Sequence, residues 1–187
     1  MRVIFLSMSK RSKNILLNKK FFERDTRAVA QGLLGKFLVR RVGRKEITAM
    51  ITETEAYDGL HDRASHAHRG RTKRNEPMFG EAGVWYVYLC YGVHEMLNIV
   101  TGPKEYPAAV LIRGVARANG PGKVTKTLKI GCTFNNKKAA RASGLWIEDR
   151  AVVVAPRDIR RTARIGVSYA GPVWSKKRYR FYIKDRP

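Results

Sequence analysis

Cysteine is nearly absent from this 187-residue chain; Cys90 and Cys132 are the only two. Two thiols so far apart make neither a zinc site by themselves nor a disulfide framework, and a reducing compartment suits them. No apolar run approaches the ~20 residues that a membrane-spanning helix needs. The opening Val3-Ile4-Phe5-Leu6 is shorter than the apolar core of a signal peptide. Repeats and low-complexity linkers are missing too. Acid is the scarcest charge: 15 Asp and Glu face 38 Lys and Arg, for a formal net charge of +23. There is no acid from Met1 to Phe22 and none from Tyr106 to Ile147, while Arg157 to Arg186 is strongly basic. The acids gather instead at Glu53, Glu55 and Asp58. A compact domain so far from neutrality repels itself, which points to a polyanionic partner. A basic body with a small acidic island suggests a nucleic-acid surface with chemistry inside it. Charge alone fits a ribosomal-type binder equally well.

What is present reads as one domain over 1–187, with 1–18 as a flexible basic arm. The length and a hydrophobic content of 44% support a real core. A helix is expected from Asp25 or Thr26 to Leu34, capped by either residue and ended by Gly35. Phe37-Leu38-Val39 starts a strand, Gly43-Arg44 turns it, and a long strand runs from Ile47 to about Tyr57. Its alternation predicts that Glu53, Glu55 and Tyr57 continue the face of Ile47, Ala49 and Ile51. An apolar face that turns acidic and then aromatic suits a strand leaving the core to floor a pocket. Residues 59–83 form a long polar excursion, and such loops are functional or mobile more often than not. Val84–Leu89 and Val93–Val100 read as a hairpin with Tyr91 near its tip. Further strands are expected at Ala108–Arg113, Trp146–Glu148, Val152–Ala155 and Arg180–Lys184, and a helix from about Gly122 to Ile130. The fold class is therefore α+β: a single domain, largely antiparallel, with few helices.

Several catalytic motifs fail. His94-Glu95 is not a zinc-protease pair, because Asn98 stands where the second His belongs. Neither cysteine sits in the Pro-Cys-x-x-Cys element of the zinc deaminases. Gly120-Pro121-Gly122-Lys123 is half a phosphate loop, with Arg117 in place of the upstream Gly and Val124 in place of Ser or Thr. A basic helix start can still grip one DNA phosphate.

More specific blocks remain. Thr52-Glu53-Thr54-Glu55-Ala56-Tyr57 is followed by Ser65-His66-Ala67-His68-Arg69-Gly70-Arg71-Thr72 and Arg74-Asn75-Glu76-Pro77-Met78-Phe79. Then come Trp85-Tyr86-Val87-Tyr88-Leu89-Cys90-Tyr91-Gly92, Asn98-Ile99, Val110-Leu111-Ile112-Arg113 and Asn119-Gly120-Pro121-Gly122-Lys123. In this order and spacing the chain resembles the alkyladenine (3-methyladenine) DNA glycosylase family over roughly residues 20 to 184. The resemblance implies a single mixed domain with a curved antiparallel sheet and a protruding hairpin. It implies that Glu55 activates water and that Arg113 steadies that water and the DNA backbone. It implies that Tyr57, His66 and Tyr88 wall the pocket for an everted base. Asn98 matches the residue that crowds the 2-amino group of guanine, and Tyr91 the wedge that fills the gap left in the duplex. Arg71, Arg74 and Lys123 are candidate backbone contacts. Lys73, where relatives often have Pro, is a departure that would loosen the loop.

Physical chemistry makes similar demands. A base inside a duplex is unreachable and must be extruded. Stacking on aromatic rings returns ~1–3 kcal/mol per base. N3- or N7-alkylated purines are cationic, so tyrosine faces attract them, and the same charge makes them good leaving groups. Breaking the glycosidic bond builds cationic character on the sugar, which a carboxylate stabilises while taking a proton from water. One carboxylate and one water suffice, so neither cofactor, metal nor lysine nucleophile is expected, and no strand cleavage. The expected protein is an intracellular monomer acting on double-stranded DNA with a damaged purine, in the cytoplasm and nucleoid or in a nucleus, with no membrane partner. Two alternatives stand: a non-catalytic DNA- or RNA-binding protein of the same fold, and a ribosome-associated RNA binder. In these readings Glu53 and Tyr86 are structural and His68 lies on the surface.

Overall fold

The computed structural model describes residues 14–184. Strand β1 (Ile15–Leu16) and the short helix α1 (Lys19–Phe22) lead to α2 (Thr26–Gly32). The hairpin β2 (Phe37–Val42) and β3 (Lys45–Asp58) follows, then β4 (Trp85–Cys90), β5 (His94–Val100), β6 (Ala108–Val115) and β7 (Ala118–Asn119). Helix α3 (Pro121–Leu128), β8 (Leu145–Asp149), β9 (Ile159–Thr162), α4 (Gly171–Trp174) and β10 (Arg180–Ile183) complete the chain. All strand pairs are antiparallel, and the main path runs β1-β8-β2-β3-β6-β5-β4. This is a mixed α+β domain whose sheet does not close into a barrel.

Strand β3 organises the molecule. Lys45–Met50 pairs with β2, whereas Glu53–Glu55 pairs with β10 and Ile51–Asp58 with β6. β2 and β10 therefore succeed each other along one edge of β3, and β6 holds the other. The pairing with β6 slips at Glu53, where Gly114 stands opposite. A Cβ on Gly114 would lie 3.0 Å from Glu53 Cβ and 3.3 Å from Thr52 Oγ1, so only glycine lets the strands approach there. From Met50 to Ala56 both faces of β3 are buried, which a simple in–out alternation does not anticipate. Thr54 turns toward α2 and donates to the Ala30 carbonyl, leaving Glu53, Glu55 and Tyr57 on the opposite face.

The main core lies between the sheet and the helices, with Val29 of α2 and Leu33 at its C-cap, Val124 and Leu128 of α3, and Trp85, Leu97 and Ile112 of the sheet. Asp25 caps α2 by accepting from the amides of Arg27 and Ala28, as its side chain allows. Two satellite clusters stand apart. One gathers Ala67, Met78, Phe79, Val84 and Tyr86, with Tyr88 packed against it; the other gathers Ala64, Val167 and Ala170, with Tyr57 and Trp174.

Three expectations need correction. Val152–Ala155 forms no ladder: Ala151 takes a left-handed φ of 59°, Pro156 follows, and Val152 is buried while Val153 is exposed. Residues 15–18 do not belong to a free arm, because β1 pairs with Asp149 and Glu148 and Leu17 joins the core; the arm's first 13 residues lie outside the described ones. The 59–83 excursion is pinned rather than loose. Buried Asn75 accepts from the Thr72 amide at 2.7 Å and donates to the carbonyls of His66 and Gly70 at 3.0 and 2.9 Å. Two 3-10 turns, His66–Arg69 and Glu76–Phe79, flank it, and Lys73 sits exposed between them.

Candidate active site

The face of β3 opposite α2 carries Glu55, which is fully buried. Its Oε1 accepts from the Ile165 amide at 2.9 Å, and its Oε2 accepts from the Tyr57 hydroxyl at 3.0 Å. Arg113 on β6 brings Nε to 3.5 Å from Glu55 Oε1 and 3.2 Å from Glu53 Oε1. Glu53 is also bonded by Arg180 on β10. Burial pushes the Glu55 carboxyl above the ordinary carboxylate range; Arg113 opposes that first, then the Ile165 amide and the Tyr57 hydroxyl. Arg113 is thus divided between two acids, and Glu53 is a structural counter-ion as expected. An ionised carboxylate offers about four lone-pair sites, so the two hydrogen bonds do not exhaust its accepting capacity.

Next to Glu55, beginning at Tyr57, aromatics from both satellite clusters line a recess. Tyr57 stands on one side; burial, then the charge of Glu55, raises its phenol well above the usual value, so it remains a donor. His66 and Tyr88 form the other wall, with ring centroids 4.6 Å apart and planes at 67°. His66 Nδ1 lies 2.9 Å from the Tyr86 hydroxyl. Burial, and then Arg74, lowers the imidazole pKa, which keeps the ring neutral near pH 7. Asn98 on β5 donates its amide nitrogen to the carbonyls of Tyr86 and Met96, both at 3.1 Å. With both N–H groups used, its oxygen is the end left for the recess it lines. That recess, between Tyr57, His66, Tyr88 and Asn98, measures about 40 Å³. It adjoins a cleft of about 1170 Å³ through Tyr57, His66, Tyr88 and Tyr169.

The cleft wall is basic: Arg63, Arg69, Arg74, Arg113, Lys123 and Lys126 line it, with the start of α3 at Gly120–Lys123. Arg74 stacks over Tyr88 at 5.1 Å and donates to the Leu89 carbonyl. Arg71 lies elsewhere. It pairs with Glu76 at 3.1 Å and with Glu105, stacks on Phe79, and does not line the cleft. His68, expected at the surface, is exposed but borders the cleft. Tyr86 is buried core, and its hydroxyl also orients His66. Tyr91 projects at the hairpin tip, 94% exposed. It and Gly92 have φ of 50° and 70°, the left-handed pair of a primed turn. A side chain in that region costs ~1–2 kcal/mol, yet here it holds an aromatic ring in water at the mouth of a cleft.

Sequence reasoning missed three contributors from the far C-terminal segment. Arg164 is buried, donates to Asp62 at 2.5 and 2.8 Å and to the Ala56 carbonyl at 2.8 Å. Its guanidinium stacks over Tyr57 at 4.8 Å and Tyr179 at 5.2 Å. Its Nε has no hydrogen-bond partner among the described residues, and those two ring faces compensate. Ile165 supplies the amide for Glu55, and Tyr169 shares both recess and cleft while donating to the Ala64 carbonyl. Only a pairing of residues more than a hundred positions apart could have revealed them. Among the described residues no group of three or more His, Cys, Asp or Glu is placed to hold a metal ion, and no helix is long and apolar enough to cross a membrane.

Comparison with known proteins gives the family. Chains named "Putative 3-methyladenine DNA glycosylase" align closely. One from an Anaeromyxobacter species is 42% identical, covering 90% of this chain and 89% of its own. Those from Borrelia garinii subsp. bavariensis and Legionella pneumophila are 40% and 41% identical, covering 90% and 91% of this chain and 96% of their own. The profile of the methylpurine-DNA glycosylase family matches residues 20–118 and 114–187, and the chain belongs to that family.

Proposed function

We propose that this DNA glycosylase everts a damaged purine from duplex DNA and hydrolyses its N-glycosidic bond. One observation carries the reading: a fully buried carboxylate, Glu55, is held by Tyr57, Ile165 and Arg113, all three of which line the basic cleft, and Tyr57 also lines the aromatic recess that adjoins it. Tyr91 would enter the minor groove and occupy the space the base vacates. The recess alone is too small for a purine, so the base lies at its mouth, between Tyr57 and the His66–Tyr88 pair. Asn98 beneath would meet the edge of the base. A purine alkylated at N3 or N7 brings positive charge to these ring faces. As the C1′–N bond breaks, its electron pair leaves with the base. Water adds to C1′, and Glu55 accepts the water's proton while its charge balances the cationic sugar. Arg113 favours the ionised form of Glu55 against the effect of burial. Arg74 and Lys123, at the cleft wall, suit phosphates.

Two further lesions, hypoxanthine and etheno-adenine, lie within the proposed range. Their neutral bases lack the alkylpurine's charge and leave as anions unless protonated, so release relative to alkylpurines measures how far the pocket assists the leaving group.

The test is base release from alkylated duplex DNA without magnesium, followed by alkaline cleavage at abasic sites. The native protein releases alkylpurines, and Glu55→Gln releases none while still binding DNA. Equal release by both would overturn the assignment of Glu55. Binding without release by either would favour a non-catalytic binder.

A further inference from the structure

The sheet face that carries Glu55 continues beyond the cleft. Residues directly opposite in an antiparallel pair share a face. Arg180 lies opposite Glu55 and Tyr182 opposite Glu53; on the next strand Thr162 lies opposite Arg180 and Arg160 opposite Tyr182. Among the described residues β9 pairs only with β10 and is an edge. Arg160 therefore stands two strands from β3, about 10 Å away at ~4.8 Å per strand.

The surface follows that line. A groove of about 650 Å³ shares Arg113, Asn119, Gly120 and Ile165 with the cleft and reaches Arg160, Arg180 and Lys184. A second groove, of about 440 Å³, begins at Arg160 and passes over the sheet edge by Arg161 and Arg178. Arg180 is engaged by Glu53. Arg160 and Lys184 meet no carboxylate within ion-pair distance among the described residues. Arg178 donates twice to the Arg161 carbonyl, which sets its cation beside Arg161 at the edge. Cations gathered with so little compensating acid repel one another unless a polyanion lies among them.

We propose that this face, from Arg180 through Arg160 and Lys184 to Arg178 at the β9 edge, is a track for the sugar–phosphate backbone of the duplex flanking the everted nucleotide. Its open, polar grooves suit a charged backbone rather than a stacked base. The proposal rests on the cleft being a DNA site, and it extends the footprint to one side of that cleft.

The double variant Arg160→Gln/Lys184→Gln tests it by titration of an undamaged duplex across salt concentrations. The slope of log K against log salt should fall by roughly 2, at about 0.9 for each phosphate that is no longer neutralised. Single-turnover base release at saturating protein should stay unchanged, since no group around Glu55 is altered. The effect should vanish on a duplex trimmed to the base pairs around the lesion, and Arg160→Lys/Lys184→Arg should restore the slope. An unchanged slope, or an equal reduction on the trimmed duplex, overturns the track. A native protein that binds steeply with salt but releases no base would sink the glycosylase reading and leave the track standing.

Discussion

In the proposed reaction Glu55 acts as a carboxylate, in a place that opposes ionisation. Burial raises its pKa, and Arg113, the Ile165 amide and the Tyr57 hydroxyl each lower it. A group with a raised folded-state pKa favours its protonated form in the folded protein, so the reactive carboxylate appears only as pH climbs through that raised value. Tyr57→Phe keeps the aromatic wall and removes one donor to the charged form. The acid limb of the single-turnover pH profile should therefore move to higher pH, with the rate on the alkaline side close to native. A limb that stays in place or moves down would show that the hydroxyl does not tune Glu55. That Tyr57, His66, Tyr88 and Asn98 would line one recess, with Glu55 bonded to Tyr57, was legible because their motifs run in short blocks. Arg71 shows the limit: its basic neighbours suggested a phosphate contact, but Glu76 and Glu105 claim it in space.

At the scale of elements, strand β3 is steadied by a segment far away in sequence. Arg164, just after β9, bonds the Ala56 carbonyl of β3 and the Asp62 carboxylate of the following loop. Its successor Ile165 holds Glu55. Both partners of the ion pair are fully buried, and removing one partner of such a pair leaves an uncompensated charge, at a cost of about 3–5 kcal/mol. Arg164→Met should lower stability by about that amount in a denaturant titration. Asp62→Asn/Arg164→Met, which removes both charges, should recover much of it. A single variant as stable as the native protein would show that the pair is not coupled to the fold. Helix α2, the β2–β3 turn and the β4–β5 hairpin were legible because each is set by local chemistry: a cap, a Gly turn, an alternating pattern. β9, its pairing with β10 and the Arg164 pair were not, because long-range partners leave no periodic trace.

Across the whole molecule the scarce acids are mostly committed to ion pairs, including Glu53, Asp62, Glu148 and Asp149. The net charge of +23 is thus left largely on the surface, and DNA binding should weaken steeply as salt displaces the phosphates. Tyr91 contributes differently, since a neutral ring releases no counterions. Tyr91→Ser should leave the salt slope and the affinity for undamaged duplex near native, but shorten the lifetime of the everted state seen with a fluorescent base analogue. Equal losses of both would argue against a wedge.

The β9 edge has one more consequence. An unpaired strand margin is a template for another chain, and charged side chains on it are a recognised guard against such pairing. Arg160 and Arg161 stand on that margin, so the charge that the proposed track offers to phosphate at Arg160 would also oppose edge-to-edge pairing of two copies. Once phosphate neutralises them, electrostatic repulsion no longer protects the margin, and the nucleic acid itself has to act as the cover.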